Sequence, residues 1–329
     1  MSSSCYSTQP SNYNQPAHIG ALFTILVTSF IGTCLPVVAR RYPLLRIPSF
    51  LLDAGRAFGT GVVIATGFVH MLPPAITNLS SQCLPYFFTN TYDSLGAAVA
   101  LAAALSIQLL EISSTVILNR IISKRNIQQS TDNKENSGSL QCTGRDRENT
   151  VLPLLDQSSY ETTIATASGY KLKILVIIFE MGVAFHSVII GLNLGVSTGS
   201  TFRTLFAALV FHQFFEGFAI GTTVAEAQFS SWITLSMILC YSLETPIGIS
   251  IGMGIAHTYQ ENSAASLVTR GILDGVSGGI LIYTGLVELL TYWFTRNSHF
   301  VNRNSQYTFS IIGVVWLGAI CMSIIGAWA

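Results

Sequence analysis

The chain has 329 residues, of which 50% are hydrophobic and only 10% are charged, and its mean hydropathy is +0.52. A soluble domain carries about 25% charged residues, so this composition excludes an ordinary soluble enzyme and a disordered protein. The 16 Lys and Arg residues balance 16 Asp and Glu residues and form no basic stripe, which argues against nucleic acid as a partner. The composition indicates a protein that crosses a membrane several times.

Eight segments are apolar and long enough to cross a bilayer, which takes about 20 residues in a helix. Because a segment in lipid has to satisfy its own backbone hydrogen bonds, we expect eight transmembrane helices and an all-α fold. The ten-residue alternating segments of a membrane β-barrel are absent from the sequence. In chain order the predicted spans are Ala17–Ala39, Phe50–Leu72, Ser94–Leu118, Ile174–Val196, Leu205–Ala227, Trp232–Ala256, Gly271–Leu290 and Phe309–Trp328.

The spans divide the chain into three regions. Residues 1–118 contain an N-terminal tail and spans 1–3, and residues 171–329 contain spans 4–8 and a short C-terminus. Between them, residues 119–170 are polar and rich in Ser, Thr, Asn and Gln, which predicts a disordered cytosolic loop. We expect this loop to act as a tether that lets the two groups of spans move.

The distribution of basic residues predicts the orientation in the membrane. Of the 16 Lys and Arg residues, 13 lie in loops that follow odd-numbered spans, so these loops are expected to face the cytosol and both termini the outside. The glycosylation sequon Asn78-Leu79-Ser80 lies in a loop that this topology places outside. Cys5 and Cys83 also fall outside, where a disulfide is chemically permitted.

Two spans carry matching polar segments. Ionisable side chains inside a span are costly, so each of them is a functional candidate. In both segments a His is followed by Gly five and nine positions later, which is a short internal repeat. The matching residues are His186, Gly191 and Gly195 in span 4 and His212, Gly217 and Gly221 in span 5.

The spacing of these residues predicts a metal site. His212 and Glu216 are four residues apart and therefore share one helix face. The glycines permit close helix packing, which we expect to bring spans 4 and 5 together and to place His186 beside His212 and Glu216. Imidazole and carboxylate ligands suit Zn²⁺ or another divalent first-row metal. A hydrogen-bonded core histidine is the alternative, and the repeat disfavours it.

With these motifs the chain resembles the ZIP family (Zrt- and Irt-like proteins) of metal-uptake transporters, closer to its fungal and plant branch, over nearly its whole length. The resemblance implies a transporter and not an enzyme, with the metal ion as substrate and no cofactor. It implies metal movement into the cytosol, a helical bundle with inverted three-helix repeats around spans 4 and 5, and homodimerisation. Lipid is the expected surrounding, most simply that of the plasma membrane.

The resemblance also implies which residues bind the ion. The main transport site would be His186, His212 and Glu216. Relatives that hold two metals carry carboxylates where Ile190 and Gln213 stand here, so we expect one principal site. Weaker ligands or supporting residues are expected at Ser187, Asn193, Gln213 and Glu244.

Four further residues near span ends are candidates for supporting roles. His70, near the outer end of span 2, is read as an entrance ligand or a helix-end hydrogen-bond donor. Glu288, near the inner end of span 7, is read as an exit ligand or an interfacial charge. Asp53 and Arg56, at the start of span 2, are expected to pair on the cytosolic side.

The sequence leaves the metal and the functional class open to alternatives. Zinc is expected first because His and Glu ligands suit it, but iron(II), manganese and cadmium compete for similar sites. An intramembrane metallohydrolase is disfavoured because His212 and Glu216 form HxxxE, without the HExxH arrangement that supplies a general base. A metal-responsive receptor without flux is the third alternative, and transport is favoured over both.

Overall fold

A computed structural model of the protein describes residue 5 and residues 13–42, 48–137, 157–260, 262–296 and 303–327. Within these residues the structure is helical, contains no β-strand and has eight helices that are long and apolar enough to cross a membrane. The predicted all-α, eight-span fold is confirmed. The helices are α1 (Gln15–Arg41), α2 (Ser49–Leu79), α3 (Leu95–Ser137), α4 (Gln157–Val196), α5 (Gly199–Glu226), α6 (Ser231–Ile255), α7 (Ala264–Thr295) and α8 (Ser305–Gly326).

Helix α2 continues to Leu79 and does not end at Leu72 as predicted. Two prolines, Pro73 and Pro74, follow a π-helical turn at Thr66–Met71. Proline lacks an N–H and its ring collides with the carbonyl four residues earlier, and the wider π turn removes that conflict. The prolines therefore mark a local irregularity within the span.

Helices α3 and α4 extend into the region that the sequence predicts as a loop. Helix α3 ends at Ser137 and α4 begins at Gln157, although the apolar runs stop at about residue 118 and start at about residue 171. An apolar run shows where a helix crosses lipid, whereas the helix itself can continue beyond the bilayer. Residues 138–156 lie outside the described residues, and disorder there stays a prediction.

The helices pack as two bundles. The first bundle comprises α1, α4, α5 and α6, the second bundle comprises α2, α3, α7 and α8, and they meet where α2 packs on α5 and α4 packs on α7. The pattern of helix contacts stays the same when α1, α2 and α3 are exchanged with α6, α7 and α8, and α4 with α5. Helix α1 packs on α5 as α6 packs on α4, and α2 packs on α8 as α7 packs on α3. This pattern is that of inverted three-helix repeats around α4 and α5.

The glycines of the repeated motif pack α4 on α6 and α5 on α1. A Cβ atom at Gly191 would overlap the main chain of Thr245 in α6, and one at Gly221 would overlap the main chain of Thr33 in α1. The expectation that these glycines hold α4 against α5 is therefore wrong. Small residues show that a helix approaches a neighbour closely, but they do not show which neighbour it meets.

The two ends of the bundles differ in their connections. We call the side where α1 begins, α4 ends and α5 begins the N-terminal side, and the other the opposite side. On the N-terminal side Cys5 and Cys83 form a disulfide, with Cα atoms 5.7 Å apart. The side-chain nitrogen of Asn78, which carries the sugar in a used sequon, is buried in the last turn of α2, so this conformation does not favour glycosylation there.

Candidate metal centre

Three buried histidines face one another where the two bundles meet. The ring centroids of His186 in α4 and His212 in α5 are 5.7 Å apart. The ring of His70 in α2 is 5.8 Å from that of His186 and 5.7 Å from that of His212. The second bundle thus contributes a third imidazole to a nearly equilateral triangle.

A carboxylate completes the cluster one turn along α5. Glu216 is fully buried, as is His212, and His186 is only 1% exposed. Ligand atoms of His186, His212 and Glu216 lie within 4.8 Å of one another. The four-residue spacing in α5 and the matched position in α4 bring these three side chains together, as the sequence predicts. Their nitrogen and oxygen atoms can serve as ligands of a divalent cation.

The polar atoms of this cluster are unsatisfied within the described part of the chain. Both ring nitrogens of His186, both of His212 and both carboxylate oxygens of Glu216 are buried and have no hydrogen-bond partner there. The same holds for the hydroxyl of Ser187 and the side-chain amide of Gln213. An unsatisfied buried polar group costs about 1–3 kcal/mol of folding free energy. A cluster with this many unsatisfied groups therefore calls for a bound partner. A cation would bind one ring nitrogen of each histidine and the carboxylate of Glu216, which leaves the N–H of each ring and the Gln213 amide to other partners.

His70 lies in this cluster and not at the outer end of α2. The predicted position assumed that the span ends at Leu72, but α2 continues to Leu79, about two and a half turns beyond His70. His70 is 8% exposed and belongs to the π-helical turn Thr66–Met71. Such turns are frequent at functional sites because they re-aim side chains. Sequence reasoning missed this placement, although the two prolines that follow were a signal of irregular helix.

A cavity leads from the cluster to the N-terminal side. Its volume is about 400 Å³, and its wall includes His70 and His186 at one end. Ile190 and Asn193 continue the wall along α4, and Asn193 lies about two turns from His186. Asn193 therefore lines the approach to the cluster. The remaining lining includes Ser197, Thr198, Thr201, Ala256, Tyr259, Arg270 and Asp274.

Glu244 belongs to a second group of polar side chains. Ligand atoms of Glu180, Cys240 and Glu244 lie within 4.8 Å of one another, and we call this group the acid–thiol cluster. Cys240 is exposed, and its thiol donates to Glu244 Oε1 at 3.8 Å. Glu288 lies in a π-helical segment of α7, Thr284–Tyr292, and is 9% exposed. A role for Glu288 as an exit ligand stays a prediction.

Charged side chains join the two bundles on the opposite side. Arg56 of α2 donates to Glu226 of α5, and its guanidinium lies over the ring of Trp293 at 4.7 Å. Asp53 accepts a hydrogen bond from the Tyr307 hydroxyl at 2.6 Å. The expected pairing of Asp53 with Arg56 is therefore wrong, because each residue meets a partner on another helix.

Comparison with known proteins identifies the family of this chain. Residues 15–326 match the family described as ZIP Zinc transporter. The chain belongs to the ZIP family. This ZIP protein is therefore an integral membrane protein and a transporter, and not an enzyme.

The relatives of this ZIP protein are named for zinc or iron. It is 35% identical to Zinc transporter 9 of Oryza sativa subsp. japonica over 320 residues, which cover 94% of this chain and 88% of the relative. It is 34% identical to Zinc-regulated transporter 1 of Candida albicans over 323 residues, 97% of this chain but 62% of that longer relative. It is 32% identical to Fe(2+) transport protein 1 of the same rice over 313 residues, 94% of this chain and 83% of the relative.

Proposed function

We propose that the protein imports zinc across a membrane into the cytosol, and that His186, His212 and Glu216 bind the ion in transit. The observation that carries the proposal is a set of buried, unpartnered nitrogen and oxygen atoms at one point between the two bundles. The relatives named for zinc support zinc as the substrate.

The cavity supports entry from the N-terminal side. A hydrated ion would pass Asn193, lose water and bind the two imidazoles and the carboxylate at the end of the cavity. A transport site has to bind well enough to select and weakly enough to release. Two neutral imidazoles and one carboxylate meet this requirement better than a closed thiolate cage.

Release would require the two bundles to move relative to each other. The cavity lies on the N-terminal side, whereas Arg56 and Glu226 join the bundles on the opposite side. In alternating access the cavity on the N-terminal side would close and the contact between Arg56 and Glu226 would separate, while the metal site between the bundles stays fixed. A divalent cation gains about 4.6 kcal/mol from an inside-negative potential of 100 mV, which can drive uptake.

We propose that the membrane is the plasma membrane and that the N-terminal side faces the outside of the cell. The loops on the opposite side carry most of the basic residues, and basic loops remain in the cytosol. Homodimerisation, which the family resemblance implies, stays a prediction.

Iron(II) is the second candidate substrate. The relative named Fe(2+) transport protein 1 is 32% identical to this chain, nearly as similar as the relatives named for zinc. Imidazole and carboxylate ligands bind both metals, so the ligand set alone does not separate them. Manganese belongs to the same group of competitors.

Uptake of radiolabelled zinc into cells without their own zinc importers tests the proposal. We expect uptake by the intact chain and a loss of roughly tenfold or more in His212→Ala at equal surface expression. The matched control is His257→Ala, because His257 is an exposed histidine outside the cluster and its loss should leave uptake unchanged. Competition with iron(II) and manganese ranks the metals. Absence of zinc uptake at normal surface expression, or full uptake by His212→Ala, would contradict the proposal.

A further inference from the structure

The acid–thiol cluster lies apart from the three histidines. Glu180 precedes His186 by six residues in α4, which places it about 9 Å farther toward the opposite side. Cys240 and Glu244 are four residues apart in α6 and share one face of that helix. The cluster therefore lies between the three-histidine site and the opposite side.

The two carboxylates of this cluster are buried, and each has an oxygen atom without a partner in the described part of the chain. Glu180 is 8% exposed and Glu244 is 6% exposed. Oε1 of Glu180 and Oε2 of Glu244 have no hydrogen-bond partner in the described part of the chain, and no ion pair found there includes either residue. Two buried carboxylates at one point repel each other and lose hydration, so both costs are relieved by a cation between them.

The thiol of Cys240 gives the cluster a chemical preference. Cys240 lies at the border between the buried face of α6 and the face on the outside of the bundle, where it contacts Glu244. Thiolate ligands favour zinc and cadmium, whereas carboxylates alone would also suit magnesium, calcium and manganese. A Cys–Glu hydrogen bond by itself leaves the other oxygen of Glu244 unsatisfied, so a purely structural role does not account for the group.

We propose that Glu180, Cys240 and Glu244 form a second metal site that binds Zn²⁺ or Cd²⁺. Its ligands are two carboxylate oxygens and a thiolate, whose proton leaves when the metal binds. Metal binding at this site does not depend on the proposed function. Only the further suggestion, that the site is a stage on the route of the ion to the opposite side, rests on it.

Protection of Cys240 from alkylation tests the site directly. A chain with Cys34→Ser, Cys142→Ser and Cys321→Ser keeps Cys240 as its free thiol beside the Cys5–Cys83 disulfide. Purified in detergent, this chain is treated with a small maleimide at increasing Cd²⁺ concentration. We expect Cd²⁺ to protect Cys240, and Mg²⁺ at the same concentration to leave it reactive.

Substitutions of the carboxylates and of the histidine site separate the two proposals. Glu180→Gln and Glu244→Gln should each raise the Cd²⁺ concentration that gives half protection by about tenfold or more. His212→Ala should leave that concentration unchanged, even where it abolishes zinc uptake. As a matched control, a chain that keeps Cys34 and has Cys240→Ser should show no protection.

Other results would overturn the second site. Unchanged protection in both Gln variants, or equal protection of Cys34, would mean that Cd²⁺ binds elsewhere. A variant can show misfolding in its size-exclusion profile. In that case the ultraviolet charge-transfer band of the Cd–thiolate bond, measured in the chains that fold, replaces protection from alkylation as the readout. That band should appear in the chain that retains Cys240 and vanish in Cys240→Ser, and its absence from both would refute the site.

Discussion

Arg56 and Glu226 form an ion pair across the boundary between the two bundles. Arg56 is 5% exposed at the start of α2, and Glu226 ends α5, 170 residues later in the chain. Arg40, at the end of α1, reaches the same carboxylate at 3.3 Å, but its side chain is 50% exposed. One carboxylate therefore contacts one buried and one solvated guanidinium, and the buried pair is the one that crosses between the bundles.

We expect Glu226→Gln to lower the free energy of unfolding by about 3 kcal/mol. The substitution leaves the guanidinium of Arg56 buried without its carboxylate partner, which is far more costly than losing an exposed pair. Arg40→Gln is the control, and its cost should be below about 1 kcal/mol. Denaturation in one detergent compares both variants with the intact chain. Equal losses would mean that burial of Arg56 does not set the energy of this contact.

The close contact of α4 with α6 gives a second prediction. A Cβ atom at Gly248 would overlap the carbonyl oxygen of Val188, whereas a Cβ at Gly254 in the same helix would meet no atom within 4 Å. Gly248→Ala should therefore lower the free energy of unfolding by about 1–3 kcal/mol through overpacking. Gly254→Ala should be neutral or raise it by up to about 1 kcal/mol. Thermal unfolding of the two variants distinguishes a packing effect from a general effect of replacing glycine, which would give equal shifts.

Several features of this protein follow from its sequence because their causes are local. Eight apolar runs predict eight spans, since lipid imposes both length and helical hydrogen bonding. His212 and Glu216 share a face because they are four residues apart, and the repeated motif in α4 identifies His186 as their companion. The cost of burying such groups in lipid is what marks them in the sequence.

Features that depend on helix placement did not follow from the sequence. His70 meets the other histidines because α2 packs on α5, and its expected depth in the span was wrong because α2 continues past Leu72. Arg56 has an acid three residues before it, but the folded chain pairs it with Glu226. Gly191 marked a close contact without identifying α6 as its partner. In each case the deciding partner is distant in sequence, and the local pattern is compatible with several partners.

Zinc should stabilise the folded protein through its buried ligands. At a zinc concentration 100 times the dissociation constant, binding adds about 2.7 kcal/mol to the free energy of unfolding. His212→Ala should lose the part of this gain that the three-histidine site contributes because it removes a proposed ligand, while Mg²⁺ should give the intact chain little gain. Thermal unfolding with and without each metal measures the effect independently of flux. A zinc-dependent shift that survives in the double variant His212→Ala/Glu244→Gln would indicate binding outside both clusters.

His70 offers a final prediction, because its ring is equally close to two proposed ligands but its nitrogens are not among the three ligand groups that converge. If His70 binds the ion, His70→Ala should weaken equilibrium zinc binding by about tenfold and raise the KM of uptake similarly. If His70 only lines the approach, the rate of uptake should fall while the dissociation constant stays unchanged. Equilibrium titration of purified protein beside uptake kinetics separates these outcomes, with His257→Ala as the control in both. We expect weaker binding, because the π-helical turn directs this imidazole toward His186 and His212, where a cation would share its lone pair.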